Sequence, residues 1–281
     1  MGDFHQKQEL GHTGLLVSRL GIGSSFGAPT RVIEEAFDHG VNYLYWGTIR
    51  RPAFGRAMRN LARQHREELV LTIQSYSRVP ALIGPSIDVA LLRSRVEYFD
   101  ILLLGGRTER PGNAYIDAFE HLREKGKVRF LGISTHNRPL LPTLVNGNQE
   151  KKSPFDVVML RYNAVHRGAE RDVFPLLPSE QPPGVVAFTA TRWGHLLDPT
   201  KMPEGATPPS ASDCYRFALS HPAVDVVLCG PSDRAQMQEA LRTLDRGPLD
   251  AEEMERMGRI GDHIYHTHKP QFPDMGDEGD S

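Results

Sequence analysis

Residues 121–135 read HLREKGKVRFLGIST, and the change of texture inside that stretch decides the fold. Its first part closes an amphipathic segment, predicted as a helix over 112–125, with Ala118, Phe119 and Leu122 on one face and Gly126 as its stop. Its second part, VRFLGI at 128–133, is apolar without a two-residue alternation. Continuous apolarity suits a strand covered on both faces, as in a parallel sheet.

Working outward, the same alternation recurs along the chain. Apolar runs stand at LGIG 20–23, VNYLYW 41–46, LVLTI 69–73, DILLL 100–104, FDVVML 155–160, GVVAF 184–188 and VDVVLCG 224–230. Helix-like segments separate them. One covers 30–38, with Thr30 as its expected N-cap and Gly40 as its stop; another covers 233–243, with Met237, Ala240 and Leu241 on one face. Strand-like runs alternating with helices over most of the chain predict an α/β fold of the (β/α)8 TIM-barrel type. A doubly wound open sheet is the alternative, but GIGSSFG after the first run lacks the GxGxxG spacing of a dinucleotide fingerprint. The reading is one barrel domain over 1–268, followed by an acidic tail at 269–281 whose composition predicts disorder.

Bulk composition narrows the function classes. Thirty-three basic and 35 acidic residues give a formal charge of −2, which supports neither nucleic-acid binding nor attraction to a membrane surface. No apolar run approaches the roughly 20 residues of a transmembrane helix, and MGDFHQKQEL has no signal-peptide core. Cys214 and Cys229 lack metal-pair spacing and read as small buried hydrophobes in a reducing, cytoplasmic protein. His263, His266 and His268 in HIYHTH are poorly spaced for a metal, so none is expected. The long segment 189–210, rich in Pro and Gly, would leave the seventh strand at the barrel end where active sites are built.

Several stretches, in order, resemble the aldo-keto reductase family. LGHTGLLVSRLGIGS at 10–24 is similar to its N-terminal β-hairpin and first strand, and EEAFDHGVNYLYWG at 34–47 to the segment that ends in an Asp-Thr-Ala strand. HLREKGKVRFLGIST, FDVVMLRYN at 155–163 and ALSHPAVDVVLCGPSDRAQMQEAL at 218–241 resemble its later signatures. The resemblance implies a TIM barrel that binds NADP(H) across its C-terminal mouth and transfers hydride to a carbonyl. It also implies an Asp, Tyr, Lys and His tetrad, because a phenol needs help to move a proton near neutrality. At the matching positions this chain has Tyr45, Arg50, Gln74 and Gly105. Met159 stands where a Gln near the nicotinamide is usual, and Ala240 where an Asn near the adenine is usual.

The resemblance also implies cofactor contacts: Ser134, with Thr135 or Asn137, toward the carboxamide, and Gly230, Ser232, Arg234, Gln236 and Glu239 toward the adenosine phosphate. A Gly-Pro-Ser turn before a helix offers N–H groups to an anion, and Arg234 would favour a 2′-phosphate. The remaining candidates are catalytic Tyr45, Arg50 and His136, and substrate-binding Trp46, Trp193 and His195. Each also has a plainer reading. Tyr45 would fill a vacated site, Arg50 and Arg51 would be a solvated loop, His136 would be a polar contact, and Trp193 and His195 would pack the long loop on itself. Three functions remain open: a small-molecule carbonyl oxidoreductase with an altered acid–base centre, a non-redox cyclase, isomerase or dehydratase, and a regulatory NADP(H)-binding protein. A monomer is the family-level expectation.

Overall fold

The computed structural model describes residues 4–146 and 153–268. A hairpin of β1 (Gln8–Glu9) and β2 (Leu16–Val17) precedes the barrel. Then come β3 (Leu20–Gly23), α1 (Thr30–Asp38), β4 (Tyr43–Trp46), α2 (Pro52–His65), β5 (Val70–Ser75), α3 (Ile83–Ser94) and β6 (Phe99–Leu104). The second half continues with α4 (Asn113–Glu124), β7 (Val128–Thr135), α5 (Leu140–Val145), β8 (Val157–Arg161), α6 (Ala169–Asp172) and β9 (Gly184–Phe188). It closes with α7 (Ala211–Ser220), β10 (Val226–Cys229), α8 (Arg234–Arg246) and α9 (Ala251–Thr267). Strands β3 to β10 pair in parallel and close into a barrel through the β10–β3 pair. The expected (β/α)8 barrel with an N-terminal hairpin is therefore the fold.

Strand parity sorts the side chains into two cores. Leu44, Trp46, Leu71, Ile73, Leu102, Leu104, Val158 and Leu160 face outward and pack under the helices. Tyr43, Tyr45, Ile101, Leu103, Val157, Met159, Val226 and Leu228 fill the barrel interior. The apolar runs therefore lack alternation because both faces are covered. The hairpin contributes Leu10, Leu15 and Val17 to the interior cluster and plugs the N-terminal end.

Local details differ from the sequence reading. Pro29, not Thr30, is the N-cap of α1; Thr30 is its first helical residue, and its hydroxyl donates to the Ala53 carbonyl 2.9 Å away. Helix α8 starts one residue later than expected because the Asp233 side chain caps it by accepting from the Gln236 N–H. Cys214 and Cys229 are both buried and free. No helix among the described residues is long and apolar enough to cross a membrane. The acidic tail reading, 269–281, lies outside the described residues.

Candidate active site

At the C-terminal ends of the strands the barrel opens into a cleft of about 850 Å³. Its floor is the top interior layer, with Gly23, Tyr45, Gln74, Ser134, Met159 and Leu228. One wall is the 189–197 segment; another is the start of α8 with the turn before it, through Gly230, Ser232, Gln236 and Glu239. Phe26, Tyr76, Phe188, Trp193 and Tyr215 add aromatic surface. Among the described residues, no lysine or arginine lines it. Such a site suits a ligand held by stacking and neutral hydrogen bonds more than by ion pairs.

The 189–197 wall has an unusual backbone. Thr189, Arg192 and Trp193 take φ of 61°, 50° and 53°, in the left-handed region. A β-branched residue there is strained, so the surroundings must hold it. The Thr189 carbonyl accepts from Asn163 Nδ2 and from the Arg192 N–H, both at 2.9 Å, while the Arg192 side chain, 1% exposed, donates to the His268 carbonyl, with His195 Nδ1 3.2 Å from its guanidinium.

Three of the positions that the sequence singled out interlock on the floor. The Tyr45 hydroxyl donates to Gln74 Oε1. A Cβ at position 105 would overlap Gln74 Nε2, so Gly105 is what leaves room for that amide. Gln74 thus occupies the space beside strand β6 that a side chain at 105 would claim, and it holds Tyr45 from there. Burial, followed by the neighbouring Tyr76, pushes the Tyr45 phenol well above its usual range. Tyr45 is 5% exposed and stays protonated at any physiological pH.

The structure brings together Tyr45, Ser134, His136, Trp193, Gly230, Ser232, Gln236 and Glu239 on one cleft. The His136 ring meets the Phe188 ring edge-on, 5.4 Å between centroids. Other expected site residues do not line this cleft. Trp46 has outward strand parity; it is 1% exposed in the outer core and donates its indole N–H to the Arg51 carbonyl at 3.2 Å. Arg50 opens on a separate cavity of about 170 Å³, shared with Arg51 and Arg56. His195 faces Arg192 rather than the cleft. The Thr135 hydroxyl donates to the Arg107 carbonyl, and Asn137 Nδ2 donates to the Thr108 carbonyl at 2.9 Å, so both brace loops instead of lining the cleft. Arg234 pairs with Glu35, Nε to Oε2 2.9 Å, on the outer side of α8.

The model of the Aldo/keto reductase family matches residues 28–211, well over half of the chain. The chain belongs to that family. Among curated relatives it is 24% identical to the uncharacterized oxidoreductase YqkF of Bacillus subtilis over 94% of this chain and 99% of that protein. It is 25% identical to L-galactose dehydrogenase of Arabidopsis thaliana, covering 89% of this chain and 92% of the relative. Among solved structures, an aldo/keto reductase from Klebsiella pneumoniae in complex with NADP and acetate superposes with a TM-score of 0.75. That match has 19% identity and covers 92% of this chain and 96% of the other.

Within this aldo/keto reductase, sequence reasoning missed Tyr76, Phe26, Phe188 and Tyr215 on the cleft. Tyr76 carried a signal. It lies two residues beyond Gln74, so strand parity sends both side chains toward the barrel mouth. Phe26 carried none: it reaches the cleft by packing against Gly230, where a Cβ would come within 2.6 Å of its ring.

Proposed function

We propose that this aldo/keto reductase binds a nicotinamide dinucleotide, NADP(H), across the cleft and reduces the carbonyl of a small molecule. The observation that carries the reading is continuity: one cleft joins Gly230, Ser232, Gln236 and Glu239 at α8 to Ser134, Tyr45 and Gln74 on the barrel floor. The NADP complex of the similar Klebsiella pneumoniae enzyme supports the cofactor class. The groups present fit its neutral parts. Ser232 and Gln236 offer donors and acceptors near the adenosine end, and Phe26 on Gly230 gives a flat aromatic face. A 2′-phosphate would reach Arg234 only in competition with Glu35. When bound, the cofactor supplies the hydride; this chain orients the carbonyl and delivers the proton.

Titrating purified protein into NADPH and following its fluorescence tests the reading. Saturable binding is expected below about 100 μM, and no binding at that concentration contradicts it.

A second reading, a nucleotide-binding regulator without turnover, draws support from the Tyr45 hydroxyl, which is already committed to Gln74. Consumption of NADPH with any carbonyl compound excludes it.

A further inference from the structure

We infer that Tyr76, rather than Tyr45 or Arg50, is the proton donor of this site; the inference rests on the reductase reading above. Three tyrosines line the cleft: Tyr45, Tyr76 and Tyr215. Tyr45 and Tyr215 are buried, whereas Tyr76 is 59% exposed, so its hydroxyl can meet a ligand and regain a proton from water. Tyr76 sits just past the end of β5 and lines the same cleft as Tyr45. The Tyr45 proton is directed at Gln74 Oε1, so the Tyr45 oxygen presents its lone pairs, not a proton, to the cleft. Arg50 opens on the other cavity.

Exposure alone would leave Tyr76 on a loose loop, but its loop is braced on both sides. An Arg78 guanidinium N–H donates to the Gly106 carbonyl at 2.7 Å, and an Arg107 guanidinium N–H returns to the Ser77 carbonyl at 2.7 Å. The Tyr115 hydroxyl donates to the Arg78 carbonyl at 2.6 Å, and the Arg107 guanidinium stacks 4.2 Å from the Tyr115 ring. Residues 76–78 are thereby tied to the turn after β6 and to α4. A donor fixed by its neighbours is the arrangement that proton transfer needs.

The step balances with the cofactor class already named. Hydride from the reduced nicotinamide forms a C–H bond at the carbonyl carbon as the C=O π bond breaks. The Tyr76 Oη–H bond breaks, its proton goes to the carbonyl oxygen, and the phenolate is reprotonated by solvent. The nicotinamide is oxidised and the carbonyl is reduced to an alcohol.

The test pairs NADPH fluorescence titration with NADPH consumption over a panel of aldehydes and ketones. Tyr76→Phe is expected to bind NADPH within 2-fold of the wild type and to lose about 100-fold in kcat. Tyr76→His should recover part of that loss and move a limb of the pH profile toward the His range, about 6.5. A Tyr76→Phe protein that binds NADPH and turns over within 3-fold of the wild type overturns the inference alone. A wild type that binds no NADPH overturns the reading beneath it, and one that binds NADPH but consumes none with any carbonyl overturns both the reductase reading and Tyr76 as donor.

Discussion

The two ends of this barrel are built by different rules. At the N-terminal end, charges and backbone lock strand to strand. Asp100 accepts the Leu71 N–H at 2.8 Å, Asp156 the Leu131 N–H at 2.9 Å, and Asp225 the Val185 N–H at 2.8 Å. Each carboxylate also has a side-chain partner: Arg66 and Arg129 for Asp100, His12 for Asp156, and Gln8 for Asp225. The hairpin is pressed on this end so closely that a Cβ at Gly11 would overlap the Pro183–Gly184 backbone. At the C-terminal end, the cleft is walled by aromatics, and its central bond joins two neutral side chains, Tyr45 and Gln74. The difference teaches that strand-to-strand locking is concentrated at the end away from the cleft, which leaves the other end free to change its chemistry.

The contrast can be broken in four ways, from the largest expected effect to the smallest. Gly11→Ala combines a φ of 51° with overlap onto backbone that cannot yield, and should cost about 3 kcal/mol or more of unfolding free energy in urea. A loss under about 1 kcal/mol would mean that the hairpin is not a clamp.

The second test uses pH. Burial pushes Asp225 up to about 6, against the opposing Val185 N–H and Arg19. A carboxyl whose folded pKa is raised contributes stability that is full below about 4 and is lost as pH rises through about 6. The loss is on the order of 3 kcal/mol by pH 7, and Asp225→Asn should remove that slope. Parallel stability–pH curves for the two proteins would refute the assignment.

The C-terminal end should show the opposite sign. Burial, and then the cations Arg161, Arg192 and Arg138, push His166 down to about 2. A histidine with a depressed folded pKa contributes stability above about 6.5 that is lost as pH falls. At pH 5 the loss is about 2 kcal/mol, and His166→Gln should abolish it. Equal acid sensitivity of the two proteins would remove His166 from the account.

The smallest effect is expected at Gly105. Its Cβ would displace the Gln74 side chain rather than backbone, so Gly105→Ala should cost only about 1 kcal/mol while freeing Tyr45 from its acceptor. Near-UV absorbance would follow the Tyr45 environment; an unchanged spectrum would mean that the Gln74 bond survives.

Much of this division was legible in the sequence. Buried strands announce themselves by unbroken apolarity, so LGIG 20–23 and GVVAF 184–188 coincide with β3 and β9. The N-terminal Asp residues stand at the start of their apolar runs but give no sign of the N–H they accept, because that partner lies one strand away. Placement on the cleft was legible where parity is simple: Tyr45, Ser134 and Gly230 sit on or beside strand ends and reach it. It was not legible where the chain leaves the strand. Trp46 follows Tyr45 by one residue and therefore points the other way, and Arg50 turns into a neighbouring cavity before α2. His195 was lost to a backbone that takes positive φ at Arg192 and Trp193, a twist that residue types alone do not announce.

The open end is proposed to hold a dinucleotide along α8 with its reacting end over Tyr45, Gln74 and Tyr76. The most direct test is a crystal structure of the NADPH complex. The account predicts the adenosine end against residues 230–239 and the nicotinamide beside Ser134, within reach of Tyr76. A cofactor seated instead in the cavity of Arg50, Arg51 and Arg56, or with its nicotinamide pointing away from the barrel floor, would contradict it.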